Sequence, residues 1–270
     1  MSGWRVASPS RACEGDPAAP AIARGRNGAI KARPEGALPV RSGVGFVGGY
    51  RSVDRGSFPL STPFRVVVLI SGSGSNLQAI IDQLHADPNE VAEIVLVVSS
   101  KADAPGLERA RDGGIATRVV SGGDYPDRTT RDTALADVVA AVEPDLVVLA
   151  GYMSILTGAF LNRFPDRVIN LHPSMLPAFP GMHAIADALA WGVRLTGVTV
   201  HFAEEEVDGG PPILQEAVPV EYGDTVEALA RRVHAVEHRL LPEAVRLFAA
   251  GRVRRDSVER RVVEIKGSTR

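Results

Sequence analysis

Cysteine is nearly absent from this 270-residue chain; the only one is Cys13. A disulfide framework is therefore impossible, and a cysteine-based zinc site is excluded. No apolar run approaches the roughly 20 residues that span a bilayer as a helix. The first residues also lack the apolar core of a secretory signal, so the cytoplasm is the expected location. A basic excess is missing too, with 30 Lys and Arg set against 32 Asp and Glu. Nucleic-acid binding needs surplus cations to neutralise phosphates, so this balance argues against it.

The balance conceals two unlike parts. Residues 1–63 carry nine basic and four acidic side chains, a net +5, and the rest of the chain carries −7. Gly and Pro make up 27% of residues 1–63 but 14% of residues 64–270. The first level is that of low-complexity sequence. Residues 1–63 are thus expected to be a disordered extension, residues 64–252 a compact domain, and residues 253–270 a C-terminal tail. The extension is Arg-rich and acid-poor like a transit peptide, but its Gly and Pro oppose the amphipathic helix that such a peptide forms.

From residue 65 the texture changes. Residues 65–70 and 145–150 are short continuous apolar runs, the pattern of strands buried on both faces. Further strands are expected over 94–98, 116–120, 168–172, 195–202 and 212–220. Helices are expected over 76–86, 104–112, 126–142 and 225–249. Strands alternating with helices imply βαβ units, a parallel sheet and right-handed crossovers. The expected fold class is α/β: one doubly wound, mostly parallel, Rossmann-type sheet, with the strands at 195–202 and 212–220 as neighbours.

Ligands in such sheets bind beyond the carboxyl ends of strands. The first such place is the turn Ser71-Gly72-Ser73-Gly74-Ser75-Asn76. Its glycines permit a sharp bend, leaving backbone N–H groups at a helix N-terminus where a phosphate is welcome. A dinucleotide fingerprint fails because Leu77 stands where the third glycine is needed, and a P-loop fails for want of Gly-Lys-Ser/Thr. A monophosphate cradle and a bare turn both remain open.

The stretch Asn170-Leu171-His172-Pro173-Ser174-Met175-Leu176-Pro177 says most about chemistry. Strand alternation sends Asn170 and His172 to one side, where an amide and an imidazole can donate to a developing oxyanion. Pro173, Pro177 and Pro180 stiffen the loop beyond the strand. The plainer alternative is a strand-terminal pair that caps a turn. Asp208, ahead of Gly209 and Gly210, lies in an acidic loop and is a carboxylate able to favour the charged form of His172. The neighbouring Glu204, Glu205 and Glu206 also fit a solvated face. Of six histidines only His234 and His238 have H-x-x-x-H spacing, and Glu237 between them does not stand at the second place that H-E-x-x-H requires, so no metal is expected.

These stretches, with 68–80, 101–110, 149–153 and 208–211, resemble the phosphoribosylglycinamide formyltransferases, folate-dependent enzymes of purine biosynthesis. The resemblance covers about residues 65–254. It implies a formyltransferase-like fold and a catalytic trio of Asn170, His172 and Asp208. It further implies that Gly74, Ser75 and Asn76 hold the ribotide phosphate with Arg128, and that Glu237 touches the same substrate. Met153, Ser154, Ile155, Leu156 and Asn170 would face 10-formyltetrahydrofolate, the co-substrate. Ser174 matches the serine after the catalytic histidine and proline. Two residues depart from the pattern: Ser154 stands where arginine is common, and Ser73 where asparagine is common.

The implied reaction is direct transfer of the formyl group to the amine of glycinamide ribonucleotide. Its partners would be small molecules, with no nucleic acid and no membrane, acting in a monomer or homodimer. Formyltetrahydrofolate hydrolase shares the trio but uses water, and usually adds a regulatory domain. Methionyl-tRNA formyltransferase shares it without the phosphate turn. A non-catalytic nucleotide-binding module would not need the trio. A nicotinamide oxidoreductase is disfavoured by Leu77 and by Ser99 and Ser100, which stand where a ribose-binding acid would end the second strand.

Overall fold

A computed structural model describes residues 63–87 and 90–267. The expectation of a disordered extension lies outside the described residues, apart from Pro63.

Apolar runs become strands where the sequence places them. β1 (Phe64–Ile70), β2 (Ala92–Ser99), β3 (Thr117–Val119), β4 (Leu146–Leu149) and β5 (Val168–His172) are all parallel, and β6 (Leu195–Phe202) and β7 (Pro212–Pro219) add antiparallel pairings. The sheet order is β3-β2-β1-β4-β5-β6-β7. Val66 to Ile70 and all of β4 are buried, as expected of strands covered on both faces.

Two apolar layers do the covering. On one side Val66, Val68 and Ile70 pack with Leu77, Leu107, Leu229 and Leu241. These come from α1 (Ser75–Ile80), α2 (Gly106–Asp112) and α6 (Val226–Ala249). On the other side Val67, Leu69 and Val147 pack with Leu135, Val139 and Phe160, from α3 (Arg128–Ala140) and the short α4 (Gly158–Leu161). The helix expected over 76–86 is there, but widens into a π turn over Ile81–His85. α5 (Ala184–Trp191) and α4 escape the periodicity because each has too few turns to show one.

The last helix runs through Pro242, which has no N–H for the carbonyl of His238. Gln83 meets that carbonyl instead, donating from Nε2 at 2.8 Å. The segment expected to be a tail contains a hairpin, β8 (Val253–Arg255) and β9 (Val263–Ile265). Val253, Val263 and Ile265 pack against the core. Three-residue strands carry too little alternation to read from sequence.

The strand order reverses direction between β1 and β4, so the loops leaving their carboxyl ends diverge and open a crevice there. Among the described residues, no helix is long and apolar enough to cross a membrane.

Candidate active site

The wall of the crevice on the β1 side is the turn 71–76. Gly74 sits at φ 72, a left-handed conformation, and a Cβ there would lie 2.6 Å from the Cα of Gly106. Glycine at both positions lets the turn press against the start of α2, where Gly106 N–H donates to Gly72 O at 3.1 Å. The first N–H groups of α1 are then left without intrahelical partners, and the helix has no side-chain cap. Asn76 Nδ2 donates to Glu237 Oε2 at 3.1 Å, while its Oδ1 is buried with no partner. His234 Nδ1 approaches the same Glu237 oxygen at 2.9 Å, and this bond raises the pKa of His234. Arg109, within the 101–110 stretch but given no role from the sequence, braces the turn by donating from Nε to Ser73 O at 2.9 Å. Arg128 begins α3, exposed and with no side-chain partner among the described residues.

The opposite wall is the loop 151–157 after β4. It is tied to the turn by Met153 N–H, which donates to Ser71 Oγ at 2.8 Å. Arg131 and Asp132 hold it from beneath: Arg131 donates to Ile155 O at 2.8 Å, and Asp132 Oδ2 accepts from Thr157 N at 2.7 Å. Met153 and Ile155 are exposed, Ser154 is half-buried, and Leu156 turns inward to pack with Tyr152 and Phe160.

Next along the sheet, β5 carries Asn170 and His172 at its carboxyl end. The loop 203–211 between β6 and β7 brings Asp208 to them, so His172 Nδ1 lies 3.3 Å from Asp208 Oδ2. Asp208 adopts φ 54, and its Oδ2 also accepts from Gly181 N at 2.8 Å. Gly210 has to be glycine, because a Cβ would lie 1.8 Å from Phe202 O. His172 Nε2 lies 2.8 Å from Phe179 O. The two ring nitrogens therefore face oxygen atoms, the Asp208 carboxylate on one side and the Phe179 carbonyl on the other. The proline-containing loop is itself pinned: Ser174 Oγ donates to Ala178 O at 2.6 Å, and Thr199 Oγ1 donates to Ser174 O at 2.7 Å.

His201, to which the sequence alone gives no role, completes the cluster. It pairs with Asn170 across β5 and β6 and lies 3.1 Å from Asn170 Nδ2. Its Nδ1 donates to Phe202 O at 2.9 Å, so Nε2 is the acceptor for Asn170. Burial lowers the pKa of His201, outweighing the opposite pull of Asp208. The signal in the sequence is the β6 alternation, which puts His201 two residues from Thr199 on the face shared with Asn170. Among the described residues no group of three or more His, Cys, Asp or Glu side chains has the arrangement of a metal site.

Comparison with known proteins decides the family. The sequence model of the formyl transferase family matches residues 64–245. The chain belongs to the formyl transferase family. It is 46% identical over 190 residues to the phosphoribosylglycinamide formyltransferase of Escherichia coli, covering 70% of this chain and 89% of that one. It is 50% identical over 190 residues to the trifunctional purine biosynthetic protein adenosine-3 of Bos taurus, of which this match spans only 19%. Among solved structures, glycinamide ribonucleotide transformylase 1 from Symbiobacterium toebii is 50% identical and aligns with a TM-score of 0.72, over 76% of this chain and 94% of that one. The doubly wound, mostly parallel sheet of this formyl transferase is thus the fold of its family.

Proposed function

We propose that the chain is a phosphoribosylglycinamide formyltransferase that moves the formyl group of 10-formyltetrahydrofolate to the amine of glycinamide ribonucleotide, within residues 64–252. The observation that carries this reading is the convergence of Asn170, His172 and Asp208 beside a turn suited to phosphate. The names of the similar proteins point the same way.

In this reading Gly74, Ser75 and Asn76 hold the ribotide phosphate through backbone N–H groups and the helix dipole. Arg128, without a side-chain partner among the described residues, adds charge. The orphaned Asn76 Oδ1 and the Glu237 carboxylate are acceptors suited to ribose hydroxyls. Exposed Met153 and Ile155 offer an apolar rest for a flat ring system, and Ser154 adds a polar edge. The side chain of Leu156, buried with Tyr152 and Phe160, anchors the loop. The chain takes small-molecule substrates.

The folate supplies the formyl carbon. The amine attacks it, and the bond to the folate nitrogen breaks as a proton passes from the amine to that nitrogen. Asn170 donates from Nδ2 to the oxygen that becomes negative. His172 donates from Nε2, replacing its bond to Phe179 O. Asp208 holds the His172 ring in place and relays the proton from the amine.

A formyl-transfer assay on the purified full-length chain tests the reading. Tetrahydrofolate is expected only when the ribotide is present. Release without the ribotide identifies a hydrolase, and no release with either points to a non-catalytic nucleotide-binding module.

A further inference from the structure

We infer that the C-terminal hairpin is a clamp that positions Asp208, with Arg255 and Arg261 as its positioning residues. The inference rests on the proposed role of Asp208 in formyl transfer.

The loop 203–211 needs holding. It packs Glu204, Glu205, Glu206 and Asp208 into five positions, and like charges so close repel. Asp208 also sits in left-handed backbone, which a non-glycine residue keeps only when its surroundings over-determine it. Inside the loop, one backbone bond helps: Gly209 N donates to Glu206 O at 3.1 Å.

The hairpin grips both ends. At the entry, Arg255 forms an ion pair with Glu204 and another with Asp166 at 3.2 Å, and its guanidinium lies 5.5 Å from the ring centre of Phe202. That side chain is only 10% exposed, so solvent screens these contacts little. At the exit, Arg261 Nη1 donates to Gly209 O at 3.1 Å, one residue beyond Asp208. Arg260 secures the hairpin to the turn ahead of β5 by pairing with Asp166 at 2.9 Å, which lowers the pKa of Asp166.

The hairpin is built to present these groups. Its strands pair Val253 with Ile265 and Arg255 with Val263. Asp256 caps the connecting turn, accepting from Val258 N and Glu259 N at 2.8 Å each. Arg255 Nε donates to Arg260 O across that turn. The whole device lies beyond residue 245, where the family match ends.

The test uses full-length Arg255→Met, Arg261→Ala, Arg261→Lys and Asp208→Asn. A displacement near 1 Å at a catalytic group lowers rates on the order of a hundredfold, so the two clamp variants are expected to lose roughly ten- to a hundredfold in kcat with ribotide KM unchanged. The pH–rate profile, with each rate divided by the folded fraction that circular dichroism gives at that pH, should move, because the His172–Asp208 geometry changes, whereas mere loss of folded enzyme leaves that corrected profile unaltered. Amide hydrogen exchange should quicken over 203–211. Arg261→Lys should restore kcat, since one N–H suffices for the Gly209 carbonyl. If Arg255→Met does not fold, exposed Arg261 carries the test alone. Unchanged kcat, pH profile and exchange in the clamp variants, with Asp208→Asn inactive, overturns the clamp and leaves the proposed function standing. A fall in kcat with unaltered pH profile and exchange overturns it as well. Normal turnover in Asp208→Asn instead sinks the reading on which the clamp rests.

Discussion

Asn170 and His201 face each other across the antiparallel pair of β5 and β6, with the amide nitrogen 3.1 Å from the ring. The ring can only accept there, because its other nitrogen is committed to the Phe202 carbonyl. One N–H of Asn170 is therefore spent on His201. The other points toward Asp208 Oδ1 at a longer 3.4 Å, so it is the one a substrate oxygen can capture. A buried neutral histidine thus fixes which way the amide of Asn170 faces.

The trio gives the sharpest prediction. His172→Ala should lower kcat by at least about a hundredfold, since losing one oxyanion donor costs roughly 2.7–4 kcal/mol, and Asp208→Ala should do the same because His172 then loses its orienting partner and the proton its relay. Circular dichroism should show both variants folded. Steady-state turnover near the wild-type value in either would remove the trio from the chemistry.

His201 should make stability depend on pH. Burial lowers its pKa below the ordinary 6.5, so in acid the unfolded chain binds a proton that the folded chain refuses. Stability is then expected to fall as pH drops through about 6.5 toward the lower folded value. His234 acts in the opposite sense: the stability from its bond to Glu237 is present in acid and lost as pH rises through its raised folded value. Denaturant midpoints of wild type and His201→Asn between pH 8 and 5 separate the two. The wild type should lose more stability on acidification than the variant; parallel curves would contradict the assignment.

Two glycines in one turn should respond differently. Gly74→Ala forces a side chain into left-handed backbone, about 1–2 kcal/mol, and also drives a Cβ to 2.6 Å from Gly106 Cα. Gly72→Ala meets nothing within 4 Å and its φ is not in the left-handed range. Thermal unfolding should show a lower Tm for the first alone. The ribotide KM should rise in the Gly74 variant because the displaced turn carries the proposed phosphate donors.

The loop opposite that turn depends on a buried ion pair. Arg131 bonds Asp132 at 2.6 Å, and Asp132 has no solvent exposure. Asp132→Ala strands the guanidinium and the Thr157 N–H together, and breaking such a pair costs about 3–5 kcal/mol. Urea titration measures that loss. The KM for the folate should rise with it, because the loop 151–157 loses its lower support; an unchanged KM would separate the loop from folate binding.

Much of this architecture is legible in the sequence. Seven strands and the long helices come from apolar runs and helical spacing, which survive because each is long enough to repeat. The Gly-rich turn and Asn170, His172 and Asp208 stand out because their residue types are costly to bury without a purpose. Less is legible at α5 and the C-terminal hairpin, whose elements are shorter than their periods need. The burial of the Leu156 side chain with Tyr152 and Phe160 is not legible either, since alternation inside an irregular loop has no fixed hand.

What the sequence determined by itself was the alternation of strand and helix, and hence a sheet covered on both faces, together with the chemical types at its carboxyl edge. Tertiary structure alone decided that Asp208 lies 3.3 Å from His172, that His201 sets the Asn170 amide, and that Arg255 and Arg261 hold the loop between them. The reason is physical. Strand and helix patterns come from interactions between residues a few positions apart, whereas these contacts join segments from 31 to 52 residues apart, and only the register of packed layers brings them together.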